Sequence, residues 1–320
     1  MKWLLDLLEA TLPAVTVNGE TLDARVRALL WLGERRASIH TLEPAVARVQ
    51  ALQRQRLLPV PANHLAAVED FEAAGLAMRR YTPNEVEAGG PALLFFHGGG
   101  FVIGGLDSHD TLCRLLADHS GVEIIAVDYR LAPEHPFPAA ADDALAAWTW
   151  FRTQPHTRHL AGGDSAGGNL AMVIAQQVED RPDALLLIYP ATDRANKRPS
   201  RDTYATGFMY TSVISTWFKD HYLPPGIDRS DPRVSPLLFD DLSEQPPAHV
   251  LVAGFDILRD EIQAYIERLK QADVPLTVQL ETSLPHGFTA LAGASPTVRA
   301  AIRRCAVALR TLAHPKAGQP

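Results

Sequence analysis

Residues 161–169 read AGGDSAGGN: one serine, Ser165, set among four glycines with Asp164 directly before it. Gly163 to Gly167 fit the pattern G-x-S-x-G, in which a serine occupies a sharp turn between a strand and a helix and presents its hydroxyl as a nucleophile. Glycine on either side lets the backbone fold back where a side chain would collide with the neighbouring strand or helix. A serine that attacks a carbonyl generates a tetrahedral oxyanion, which needs N–H donors aimed at it. The stretch HGGGFVIGG, residues 97–105, directly follows the apolar run ALLFF and suits that task. Its glycines bring backbone N–H groups close to a ligand, and the residue after the nucleophile adds another. The expected oxyanion donors are Gly98, Gly99 and Ala166. A phosphate cradle is the competing use of such a loop, but neither G-x-G-x-x-G nor G-x-x-x-x-G-K-[ST] occurs in the chain.

The serine needs a base on the same face, beyond the C-terminal ends of the strands. Of twelve histidines, His249 begins a strand and falls on the wrong face, and His314 lies in a polar tail. His109, His119, His156 and His159 are expected near helix ends, away from any strand's C-terminal end. His97 opens the glycine loop and is expected to act as a structural hydrogen-bonder. His286, in LPHGF after the run LTVQLET, is the best-placed base. The acid that orients it is expected at Asp256, which closes HVLVAGFD just before a helix, although an aspartate there can equally cap that helix. Asp260 and Glu261 are rivals that fall inside the helix.

These side chains require a scaffold of alternating strands and helices. Apolar runs of strand length recur at 92–98, 123–129, 184–190, 249–256 and 276–282. Helical spacing of apolar residues occupies 108–119, 139–153, 166–179, 257–272 and 296–313. Continuous rather than alternating apolar strands indicate a mostly parallel sheet covered by helices on both faces. AVEDFE and LAMRRYT, on either side of Ala74 and Gly75, read as an antiparallel edge hairpin. Residues 1–60 read as mainly helical, and residues 191–235 form an insertion rich in proline, arginine and aromatic residues. Insertions after a strand fall on the ligand-binding face of such sheets, so both segments are expected to form a helical cap over a core made of 61–190 and 236–320.

Composition limits the partners. Hydrophobic residues make up 47% and charged residues 21% of the 320, as in an ordinary globular protein. The net charge of −7 with scattered basic residues lacks the electrostatic footprint of nucleic-acid binding. Two cysteines give neither a disulfide framework nor zinc spacing, which suits a cytoplasmic protein. The start MKWLLDLLEATLPAV is interrupted by Asp6 and Glu9 and reads as an amphipathic helix rather than a signal peptide or membrane anchor. No metal-ligand pattern is present.

Taken with DYRLAPEHPFPAA (128–140), DILRDE (256–261) and HGF (286–288), the two glycine motifs resemble those of the hormone-sensitive-lipase-like family of α/β-hydrolase esterases, in family order over roughly residues 60–313. The resemblance implies an α/β-hydrolase fold, Ser165 as nucleophile, His286 as general base and acid, and Asp256 as its orienting carboxylate. The chain order Ser165, Asp256, His286 agrees with that fold. The resemblance also makes a homodimer plausible. The expected activity is cofactor-free hydrolysis of short- to medium-chain acyl esters of small molecules. An amidase, lactonase or peptidase on the same fold, or a silent ligand-binding receptor, are the alternatives. Phe101, Phe208, Met209, Tyr210, Trp217 and Leu258 are expected to line the acyl pocket. DYRLAPEHPFPAA, without chemistry of its own, is expected to be structural support.

Overall fold

The computed structural model describes residues 2–33, 35, 37–56, 65–85 and 89–315. Its centre is one sheet of eight strands: β1 (Ala67–Ala73), β2 (Leu76–Thr82), β3 (Ala92–Phe96), β4 (Glu123–Asp128), β5 (His159–Asp164), β6 (Leu185–Ile188), β7 (Ala248–Phe255) and β8 (Leu276–Pro285). The spatial order is β8-β7-β6-β5-β3-β4-β2-β1. β1 and β2 form the expected antiparallel hairpin, β2 runs antiparallel to β4, and every other pairing is parallel. Every residue of β3, β5, β6 and β7 is buried, which is why these strands are predominantly apolar instead of alternating. The sequence-derived strands are found within a few residues of their expected ends.

The flanking helices are α4 (Leu106–Ser120), α5 (Ala139–Phe151), α6 (Ala166–Gln177), α9 (Arg259–Gln271) and α10 (Pro296–Ala313). Ahead of the sheet lie α1 (Lys2–Thr11), α2 (Ala24–Gly33) and α3 (Pro44–Arg56), while α7 (Ser200–Thr203) and α8 (Ser212–Tyr222) lie in the insertion after β6. α1 and α2 share a small apolar cluster of their own, with Leu5, Leu8 and Ala28 buried. A two-residue antiparallel ladder, Thr16–Val17 with Glu20–Thr21, was not anticipated from the sequence.

Polar ties hold the N-terminal segment to the core. Arg259 pairs with Glu20, the Asp23 N–H donates to the Ser283 carbonyl, and Arg48 on α3 binds Glu134 and the carbonyls of Val102 and Ala132. The expected boundary at residues 60 and 61 lies outside the described residues. Among the described residues no helix is long and apolar enough to cross a membrane, and no group of three or more His, Cys, Asp or Glu side chains could hold a metal ion.

Candidate active site

Ser165 sits between β5 and α6 at φ 54°, ψ −113°, a left-handed conformation that a residue with a side chain adopts only under strain. The two glycines of the turn are sterically required: a Cβ on Gly163 or on Gly167 would collide with the Phe96 carbonyl oxygen on β3. That oxygen belongs to a buried central strand and cannot move aside. The turn is closed by the Ser165 N–H donating to the Ile188 carbonyl and by the Ala191 N–H donating back to the Ser165 carbonyl.

His286 and Asp256 meet the serine at hydrogen-bonding distance. Ser165 Oγ is 2.8 Å from His286 Nε2, and His286 Nδ1 is 2.7 Å from Asp256 Oδ2. An ionised carboxylate only accepts, so Nδ1 carries the proton and Nε2 is left to accept from the serine hydroxyl. Asp256 is fully buried, and its other oxygen accepts the Leu258 N–H at 2.8 Å. It therefore also holds the turn leading into α9, whose N-cap is Leu258 and not Asp256. The rivals are occupied elsewhere: Asp260 accepts the Ser200 N–H, and Glu261 accepts from the N–H groups of Thr192 and Asp193 and from Arg201.

The glycine loop corrects one expectation. The Gly98 N–H, expected as an oxyanion donor, is instead taken up by Asp164 Oδ1 at 2.8 Å. The loop is held by its carbonyls: His97 O accepts the Tyr129 hydroxyl, and Phe101 O accepts the Ala132 N–H. Val102 O accepts from Arg48. Among the described residues, the N–H groups of Gly99, Gly100 and Ala166 make no hydrogen bond. Ala166 opens α6, where the first N–H groups lack intrahelical partners and the helix dipole favours negative charge. The free N–H of Gly100 was not anticipated in the sequence, because adjacent glycines give no sign of which N–H groups are left without a partner.

The comparisons with known proteins bear on this geometry. Residues 93–290 match the family described as the alpha/beta hydrolase fold. Over 268 residues the chain is 38% identical to an ethyl acetate hydrolase of Pseudomonas putida, covering 78% of this chain and 84% of that one. Over 303 residues it is 37% identical to the carboxylic ester hydrolase LipN of Mycobacterium tuberculosis, covering 86% and 79%. The chain belongs to the hormone-sensitive-lipase-like family of α/β-hydrolase esterases. An alpha/beta hydrolase from the metagenome of Lake Arreo, solved as a serine-to-alanine mutant, superposes with a TM-score of 0.86 at 37% identity, covering 91% of this chain and 98% of that one. This chain is accordingly a serine ester hydrolase.

In this esterase a second polar cluster backs the glycine loop. Asp164 is buried and meets, besides Gly98, the Nε2 of His109 at 3.2 Å and the Tyr189 hydroxyl at 3.5 Å. Burial pushes its carboxyl up, but His109, the Gly98 N–H and His97 together hold it below the usual carboxylate range. His109 corrects a second expectation. It is not remote from the strand ends, because α4 starts directly after the glycine loop and its first turn folds onto the elbow. His97 donates through Nδ1 to the Gly98 carbonyl at 2.8 Å and stacks on Tyr129. Burial lowers its pKa to about 3, so it stays neutral and structural, as expected.

The expected pocket residues divide into those that reach the site and those that support it. The Tyr210 ring stands 4.6 Å from the His286 ring, and Met209 Cε would lie 3.8 Å from a Cβ on Gly287. Phe218, not anticipated, packs where a Cβ on Gly100 would be. Phe208 packs on Tyr204 and on Phe255, the last residue of β7, and Trp217 packs on Phe218 and His221. Leu258 is fully buried, and its N–H donates to Asp256 Oδ1. Phe101 is also buried, stacked on Tyr222 at 3.9 Å. The DYRLAPEHPFPAA stretch anchors the site from behind through Tyr129, Ala132, the Arg130–Asp143 ion pair and the Phe137 N–H on the Tyr222 carbonyl.

Proposed function

We propose that the esterase hydrolyses short- to medium-chain acyl esters through an acyl-enzyme formed on Ser165. Ser165 Oγ attacks the ester carbonyl carbon as His286 Nε2 takes its proton, and Asp256 stays ionised and stabilises the imidazolium. The negative charge that develops on the carbonyl oxygen is met by the N–H groups of Gly99, Gly100 and Ala166. The imidazolium then protonates the departing alkoxide as the C–O bond breaks. Water, deprotonated by His286, attacks the acyl-enzyme and releases the acid with Ser165 restored.

The observation that carries this reading is the unbroken line from Ser165 Oγ through His286 to Asp256, at 2.8 and 2.7 Å. The segments 1–60 and 191–235 act as the cap, and Met209, Tyr210 and Phe218 close over the site and limit the acyl chain. On the resemblance and the two buried free thiols, we also place the enzyme in the cytoplasm, as a homodimer.

Ser165→Ala is expected to abolish turnover of p-nitrophenyl butyrate and labelling by a fluorophosphonate while leaving the thermal unfolding transition in place. Normal turnover by this variant overturns the assignment. A parallel panel of esters, lactones and amides separates esterase from amidase or lactonase preference.

A further inference from the structure

Around Ser215, in the insertion after β6, hydrogen-bond donors outnumber acceptors. Three of its guanidinium groups have carboxylate partners: Arg198 pairs with Asp193, Arg201 with Glu261 and Arg233 with Asp231. Arg194 has none within ion-pair distance among the described residues. Its Nη1 makes only two long bonds, to the Tyr210 hydroxyl and to Ser215 Oγ, both 3.3 Å. Ser215 Oγ also receives the Tyr210 hydroxyl at 3.1 Å and Arg201 Nη1 at 3.4 Å, so one neutral oxygen serves three donors. Nearby, the Tyr222 side chain is 4% exposed and its hydroxyl has no partner.

A buried hydroxyl without a partner is costly, and a guanidinium gains more from an anion than from two long bonds to neutral oxygens. Such groups persist where something else completes them. The cluster adjoins the reacting atoms. Tyr210 presents its ring to His286 and its hydroxyl to Arg194, and the Tyr222 ring stacks on Phe101, next to the oxyanion loop. Arg194 keeps part of its surface accessible, unlike the tyrosines around it. The neighbouring carboxylates cannot relieve it, since Glu261 and Asp193 are already taken up by other arginines and by backbone N–H groups.

We propose that Arg194, Ser215 and Tyr222 form a carboxylate-binding subsite, and that the esterase accepts esters whose acyl chain ends in a carboxylate. The planar guanidinium suits a carboxylate in a way that a neutral methyl terminus cannot exploit. The missing acceptor is then supplied by the substrate, with Arg194 and the Tyr222 hydroxyl donating to its two oxygens. Glu261 stays with Arg201, and Ser215 stays the acceptor of Tyr210.

This inference rests on the esterase reading of the same site, and its test keeps the two apart. The monoethyl esters of succinate, glutarate and adipate are compared with ethyl butanoate, pentanoate and hexanoate, which match them in acyl length. The quantity measured is the ratio of kcat/KM for the anionic ester to that for its neutral counterpart. For the best-matched pair, Arg194→Met is expected to lower this ratio by roughly 10- to 100-fold, the weight of a hydrogen bond to a charged group. Tyr222→Phe is expected to lower it several-fold without loss of stability, because the hydroxyl it removes has no partner in the free enzyme. A merely structural role predicts an equal fall for both esters. Ratios unchanged within about twofold in both variants overturn the subsite, as does a wild-type enzyme that hydrolyses ethyl hexanoate but none of the monoesters. Should Arg194→Met fail to fold, Tyr222→Phe decides alone. Failure on the neutral esters as well would instead overturn the esterase reading.

Discussion

The contact between Asp164 and the Gly98 N–H can be broken from either side. Asp164→Ala removes the carboxylate that accepts this N–H at 2.8 Å and leaves His109 Nε2 without its partner. Gly98→Ala attacks the same contact in reverse, since a Cβ there would collide with the Asp164 carboxylate. A hydrogen bond to a charged group contributes about 1.5–3 kcal/mol, so each variant should lose stability of that order in urea unfolding. The larger effect should be on the chemistry. With Gly98 released, Gly99 and Gly100 lose their aim, and the loss of even one oxyanion donor costs about 100- to 1,000-fold in kcat. We expect kcat for p-nitrophenyl butyrate to fall by that factor while KM changes by less than about threefold, because a donor of this kind acts mainly in the transition state. The rate of inactivation by a fluorophosphonate should fall in parallel. Since both substitutions act on one contact, the double variant should cost far less than the sum of the singles. A kcat within about threefold of wild type in Asp164→Ala, at a clearly lowered unfolding free energy, would show that this bond stabilises the fold without positioning the oxyanion donors.

Two further outcomes follow from the packing. Gly167→Ala drives a Cβ into the Phe96 carbonyl of the central sheet, so it should cost on the order of 3 kcal/mol or more, read as a lowered urea midpoint or loss of soluble protein; a wild-type midpoint would refute the steric account of the elbow. His249, far from the chemistry between Thr277 and Gln279, has its pKa lowered to about 4 by burial. The unfolded chain therefore binds more protons between about pH 6.5 and 4, so the stability present above this window declines as pH falls through it, by at most about 1.4 kcal/mol per unit from this group. His249→Gln should flatten that part of the curve, and an unchanged slope would sink the argument.

The division of labour among the histidines shows where sequence reasoning holds and where it stops. His286 and Asp256 were legible because each follows a strand's C-terminal end, and strand ends can be read from apolar runs. His109 was not, since its relation to Asp164 depends on how the first turn of α4 folds over the elbow after Gly104 and Gly105. The glycine loop suggested an oxyanion loop from its sequence, yet the partner of the Gly98 N–H turned on a carboxylate sixty-six residues away. Leu258 and Phe101 look like pocket residues in the sequence because they are apolar and adjacent to reacting groups. In the structure both are buried, Leu258 with its N–H on Asp256 and Phe101 stacked on Tyr222.

The order of strands and helices and the glycine turn around Ser165 were determined by the sequence itself, as was the expectation that Ser165, His286 and Asp256 act together, since each depends on local periodicity and local sterics. Tertiary structure alone decided which glycine N–H groups stay free, that the partly buried Arg194 of the insertion lacks a carboxylate, and which aromatic rings touch His286. Those outcomes depend on pairings across long separations in the chain, where the partner of a polar group is set by the packing of whole elements and not by its neighbours in sequence.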